Sequence, residues 1–103
     1  MNINDRVRVS DLDADHPHIG KEGVVVQLIS YDEPGIAEMG TPPEGSTTFV
    51  VVQLDDPGFD PVTDEELFFA EMLQGIPAPL ANAMRAHRQA TIFDDGQLEL
   101  VSA

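Results

Sequence analysis

The chain has no cysteine, which excludes disulfides, thiolate nucleophiles and cysteine-based zinc sites from the outset. It is also poor in cations: five Lys and Arg stand against nineteen Asp and Glu, giving a net charge of -14. Such a charge repels phosphate backbones and anionic headgroups over a Debye length of roughly 8–10 Å, so neither direct nucleic-acid binding nor a membrane surface is expected. No apolar run is long enough to span a bilayer, and the opening MNINDRVRVS has neither the basic nor the apolar segment of a secretory leader. A cytoplasmic location is the resulting expectation. Also missing are a phosphate-cradling loop and a nucleophile elbow, and Ser10, Ser30, Ser46 and Ser102 form no catalytic motif with His16, His18 or His87. The adjacent acids Asp55-Asp56 and Glu65-Glu66 face opposite ways in an extended chain and make no acid/base pair. The expectation is a protein with no enzymatic activity and no cofactor.

What is present is enough for one domain: 103 residues, 42% of them apolar, held by packing alone. Residues Asp5 to Val9 alternate, with Val7 and Val9 on one face and Arg6 and Arg8 on the other, the period of a half-buried strand. The loop DLDADHPH follows, and then Gly20 and Gly23 flank Lys21-Glu22 in a tight turn that calls for a positive φ at a glycine. GVVVQLIS over 23–30 is a β-branched strand, with Val24, Val26 and Leu28 alternating against Val25, Gln27 and Ile29. Residues 32–47 hold three Pro and three Gly without periodicity and read as a long exposed loop.

A third strand, TTFVVVQL, ends at the turn Asp55-Asp56-Pro57-Gly58. After the acidic loop GFDPVTDEE, the apolar run Leu67-Phe68-Phe69 reads as a strand, followed by one helical turn through Ala70-Glu71-Met72. Beyond Gly75, Pro77 and Pro79 mark a helix start, and Leu80, Ala83, Met84 and His87 share one helical face. TIFDDGQLELV then reads as a β-hairpin turning at Asp94-Asp95-Gly96. Two regions result: an acidic β unit over 1–75, with three cations and sixteen acids, and a helix-plus-hairpin extension over 76–103, with two cations and three acids.

The pair DRVRV and GKEGVVVQL resembles the opening of KOW-type small barrels, where a first strand leads through a loop to a Gly-x-x-Gly-x-Val strand. FVVVQLDD and FFAEMLQ are similar to the third strand and terminal turn of the accessory barrels in nitrile hydratase β-subunits, ferredoxin–thioredoxin reductase variable chains and a family of small peripheral photosystem proteins. The resemblance covers roughly residues 4–74. It implies a mainly β chain: a small Src-homology-3-like barrel with a C-terminal α-helix and a short β-hairpin extension. In those families the barrel docks on a larger protein, so the resemblance implies an accessory or adaptor role. It departs from the nucleic-acid-binding KOW modules by offering acids where they carry Lys and Arg.

The sharpest local motif is DLDADHPHIGKE, which sets Asp11, Asp13, Asp15 and Glu22 at positions one, three, five and twelve of a calcium loop. His16 occupies the place where the sharp turn needs Gly, Pro17 follows, and the left flank is a strand, so a solvated acidic loop is the reading adopted. His16 and His18, with Asp13 or Asp15, make an equally incomplete zinc or nickel set, so no metal is expected. Phe49, Phe68, Phe69 and Met72 read as core or rim, while Phe59 in its Gly-Phe-Asp-Pro loop is poised between core and contact surface.

The expected partner is another protein, with a basic surface as one option and a second copy as another. The candidate contacts are Phe59, Ile36 and Met39 with Asp11, Asp13, Asp15, Asp55, Asp56 and Asp60. The alternative function is an acidic mimic of nucleic acid, in which those aspartates with Glu65 and Glu66 imitate phosphates in the groove of a DNA- or RNA-binding protein. For the helix around Leu80, Met84 and His87 two roles stay open: folding back as a lid, or presenting a stripe to a partner.

Overall fold

A computed structural model describes residues 1–10, 16–36 and 48–101. Five strands form one antiparallel sheet: β1 (Arg6–Val9), β2 (Glu22–Ser30), β3 (Thr48–Leu54), β4 (Thr91–Asp94) and β5 (Leu98–Leu100). Two helices, α1 (Asp64–Leu73) and α2 (Ala78–Ala86), lie in sequence between β3 and β4. None of the described helices is long and apolar enough to cross a membrane.

The strands form where alternation and β-branching led the reading, and the glycines of the entering turn have separate jobs. Gly20 takes φ +78, a left-handed conformation that favours glycine. Gly23 lies so close to β3 that an added Cβ would stand 2.4 Å from the Gln53 carbonyl oxygen. The simple alternation along β2 needs correcting, because a β-bulge between Val25 and Gln27 shifts its register against β3. The extra residue, Val26, inverts the facing of everything after it. Val25 and Leu28 thus share one apolar cluster, with Val7, Val9, Val50, Val52, Leu54, Phe93 and Leu98. Val26 and Ile29 belong to the other, with Ile36, Val51, Leu80 and Ala83.

Both faces of the sheet are therefore apolar, and α2 covers the second. Its Leu80 and Ala83 pack there, so the helix folds back on the sheet. In turn α1 packs on α2, burying Leu67 and Ala70.

The sheet order is β4-β3-β2-β1-β5, which overturns the expected C-terminal hairpin. β4 pairs with β3 and β5 with β1, at opposite edges, and residues 76–103 supply both edge strands instead of being appended to a finished unit. Asp94-Asp95-Gly96 is not a hairpin turn: Asp95–Gln97 is a 3₁₀ turn capped at Asp94, whose backbone N–H donates to Gln97 Oε1 at 3.0 Å. Strands lie about 4.8 Å apart, so the edges of a flat five-stranded sheet would be separated by roughly 19 Å. A four-residue step spans at most about 14 Å even when fully extended, and less as a 3₁₀ turn, so the sheet must curl. Its ladder stays open, since β4 and β5 do not pair.

The second correction concerns residues 67–69, which are helical, not a strand. Thr63 caps α1: the Glu66 N–H donates to Thr63 Oγ1 at 3.2 Å, and Asp64, Glu65 and Glu66 place negative charge at the positive end of the helix dipole. A capped start outweighs the β preference of two phenylalanines.

Candidate functional surface

The loop leading into α1 is tied down by the segment after α2. Arg88 donates to the Val62 carbonyl at 2.9 Å and to Asp64 at 2.6 Å, the Val62 N–H donates to the Arg88 carbonyl, and Gln89 Nε2 donates to the Phe59 carbonyl at 3.2 Å. Across the helices, Arg85 is ion-paired with Glu71 and donates to Asn82 Oδ1 at 2.9 Å. These contacts fix which side of α1 turns inward.

The opposite side is apolar and open. Phe68 is 59% exposed, Phe69 45%, Met72 68% and Leu73 75%. At about 100° per residue, Phe68 to Leu73 sweeps an arc of roughly 140°, with Phe68 stacked over Met72 and Phe69 over Leu73 at i, i+4 spacing. The Phe68 and Phe69 rings meet edge to face with centroids 6.0 Å apart. An open groove of about 360 Å³, lined by Asp64, Phe68, Glu71, Met72 and Arg85, runs beside the patch. Phe68, Phe69 and Met72 are thus surface residues, contrary to the expectation of core or rim. Buried Leu67 and Ala70 carry the packing on α2, which leaves the aromatic pair outside.

Charge around this surface is one-sided. Every cation of the chain is engaged within it: Arg6 with Glu22 and Asp55, Arg8 with Glu22 and Glu99, Arg85 with Glu71, Arg88 with Asp64, and Lys21 with the Asp56 carbonyl. The Arg6 guanidinium is pushed up by its bonds to Asp55 and the Arg8 guanidinium by its bonds to Glu22. Among the described acids, Asp32, Glu33, Asp56, Asp60 and Glu65 have no cationic partner.

The expected contact residues divide into three groups. Ile36 is 1% exposed inside the second apolar cluster, so it is core and not a contact; its backbone N–H closes a turn on the Glu33 carbonyl. Phe59, Asp55, Asp56 and Asp60 are exposed, although Asp55 is committed to Arg6. Met39, Asp11, Asp13 and Asp15 lie outside the described residues. Glu22, the last acid of the calcium-like spacing, sits on β2 between Arg6 and Arg8.

His16 Nδ1 accepts the His18 N–H at 3.1 Å, and the His18 ring packs edge-on to Phe93 with its Nδ1 buried and unpartnered. Burial, then Lys21, then His16 depress the His18 pKa. No group of three or more His, Asp or Glu suited to holding a metal ion is present among the described residues, and none of their serine hydroxyls bonds a histidine. The Tyr31 hydroxyl donates to Asp94, joining the end of β2 to β4, and burial followed by that bond raises its pKa.

No protein-family description, curated protein or solved structure matches this chain. The functional reading therefore rests on the surface itself. Sequence reasoning missed that surface because Leu67-Phe68-Phe69 looked like a buried run, although Thr63-x-x-Glu66 just before it is a helix-start signature.

Proposed function

We infer that the protein is a non-enzymatic interaction module, an accessory or adaptor unit that docks on a larger protein through the outer face of α1. The observation that carries this reading is the contiguous exposure of Phe68, Phe69, Met72 and Leu73 on a helix whose other side is pinned by Leu67 and Ala70. Scattered exposed apolar residues are ordinary, but four on adjoining ridges of one helix are the kind of patch that marks an interface. The architecture suits the role: both edges of a curled sheet joined by a three-residue turn support a small Src-homology-3-like barrel, and the helices inserted between β3 and β4 form its contact arm.

The reading is tested by affinity capture with the tagged wild-type chain and with a Phe68→Ser, Met72→Ser double variant, washed at low and at high salt. The expected outcome is a partner that survives high salt on the wild type and is lost from the variant. Because both side chains are exposed, the variant's melting temperature should stay close to that of the wild type. A wild type and variant that retain the same proteins would defeat the proposal. The second reading, an acidic mimic of nucleic acid, is favoured by the unpaired acids Asp56, Asp60 and Glu65. It requires a basic partner that salt and competing DNA release from both forms.

A further inference from the structure

The geometry points to a specific class of occupant for the α1 surface: a short cationic amphipathic helix of a partner protein, its apolar stripe on Phe68, Phe69, Met72 and Leu73 and its Lys or Arg side chains against the first turn of α1. This inference rests on the reading of that surface as a docking site and names what docks.

Charge selects the sign of the partner. α1 carries Asp64, Glu65, Glu66 and Glu71 and no cation. Arg88 and Arg85 neutralise Asp64 and Glu71 from behind, Glu66 turns back to the Thr63 hydroxyl, and Glu65 has no ionic partner on the arc beside Phe68 and Met72. The five cations of the chain are all engaged, so none remains to balance the patch. A second copy, itself at -14, would set acids against acids, and an anionic bilayer would be repelled in the same way. An apolar surface rimmed by uncompensated acids is complementary to an apolar segment rimmed by cations.

Backbone chemistry selects the conformation. The outer face of a helix offers no free N–H or C=O, so an extended peptide laid on Phe68 and Met72 would leave its own backbone groups without partners. A helix satisfies its backbone internally and needs only an apolar stripe at i, i+3, i+4 and i+7. The ten residues of α1 rise about 15 Å, so three to four turns of partner helix cover them. Acids at the start of α1 and apolar residues over its second half imply that the partner's cations cluster towards one end of its stripe.

The test uses three synthetic peptides of about 15 residues, long enough to form helix on the surface. One is a Leu/Lys sequence with its leucines on a single helical face, the second a Leu/Glu counterpart of the same pattern, and the third a Leu/Lys scramble of the first without a face. Each is titrated into the isotope-labelled full chain at about 150 mM salt, where charge alone is screened beyond roughly 8 Å, with amide shifts mapping the site and calorimetry giving Kd. The faced Leu/Lys peptide is expected to bind with shifts centred on residues 64–73. Phe68→Ser with Met72→Ser should weaken it at least about tenfold, and Glu65→Lys by about threefold to tenfold.

Equal binding of the Leu/Glu peptide at α1 would overturn the cationic partner while leaving the docking surface standing. Equal binding of the scramble would reduce the effect to bulk charge and overturn both. A chain that sediments as a dimer and becomes monomeric on Phe68→Ser would assign the surface to a second copy and overturn the inference. No shift at α1 with any peptide, in a monomeric chain, would also overturn it.

Discussion

Asp94 and Leu98 are separated by only the three residues Asp95–Gln97, yet they belong to the two opposite edge strands of one sheet. Asp94 continues the ladder on β3, Leu98 pairs with Val9 of β1, and the 3₁₀ turn between them holds the edges together. The turn is itself stabilised by reciprocal capping between Asp94 and Gln97.

Gln97→Ala should therefore act as a loss of closure. Removing the acceptor for the Asp94 N–H should cost about 1 kcal/mol, as cap removals do. For a domain near this size that lowers the melting temperature by about 4–8 °C. Thermal and urea unfolding of Gln97→Ala beside Gln97→Glu, which keeps the acceptor oxygen, measure it, and an unchanged Gln97→Ala would detach the curl from this side chain.

Gly23→Ala is expected to be more harmful than Gly20→Ala. A Cβ at 23 would meet the Gln53 carbonyl oxygen at 2.4 Å and Leu54 Cα at 2.7 Å, both backbone atoms of the central strand that cannot yield cheaply. Overpacking of this kind costs about 1–3 kcal/mol. A Cβ at 20 meets nothing within 4 Å and costs only the left-handed φ, about 1 kcal/mol. Urea midpoints of the two variants decide the order, and equal midpoints would show that β2 can draw back from β3.

His18 should give the fold an acid-sensitive component. Its pKa in the fold is depressed, chiefly by burial, so the unfolded chain takes up the proton first as pH falls below the ordinary value of about 6.5. The stability that neutral His18 contributes is complete above that pH and is lost as pH falls through the window between the unfolded and the folded pKa. Melting temperatures from pH 7.5 to 5.5 for the wild type and His18→Leu test it. The wild type should lose more over this range, and parallel profiles would refute the assignment.

The three strands that precede the helices were legible because Val7/Val9 and the valine-rich runs are two-period and β-branched. The fold-back of α2 was one of the two roles its spacing allowed. What stayed hidden had physical reasons. Val24-Val25-Val26 is apolar at every position, so it carries no parity, and the bulge that inverts β2 leaves no mark in the residue types. The pairing of Val7 with Leu100 joins distant parts of the chain, whereas Asp94-Asp95-Gly96 offered a familiar local signal for a hairpin that the turn does not make. At α1 the run of apolar residues outweighed the capping signature beside it, and with it went the one surface that now carries the functional reading. The aspartates of the 11–15 loop gave the most conspicuous motif and fall outside the described residues.

The pairing of β1 with β5 also sets an order of events during synthesis. Val7 lies among the first residues made, and its partner Leu100 emerges only after both helices and β4. Until then β1 has β2 on one side and a bare row of backbone donors and acceptors on the other, and the cluster that needs Phe93 and Leu98 has no far wall. A nascent chain stalled before β5 should bind chaperones and be cleaved readily, and release of the last strand should convert it in one cooperative step.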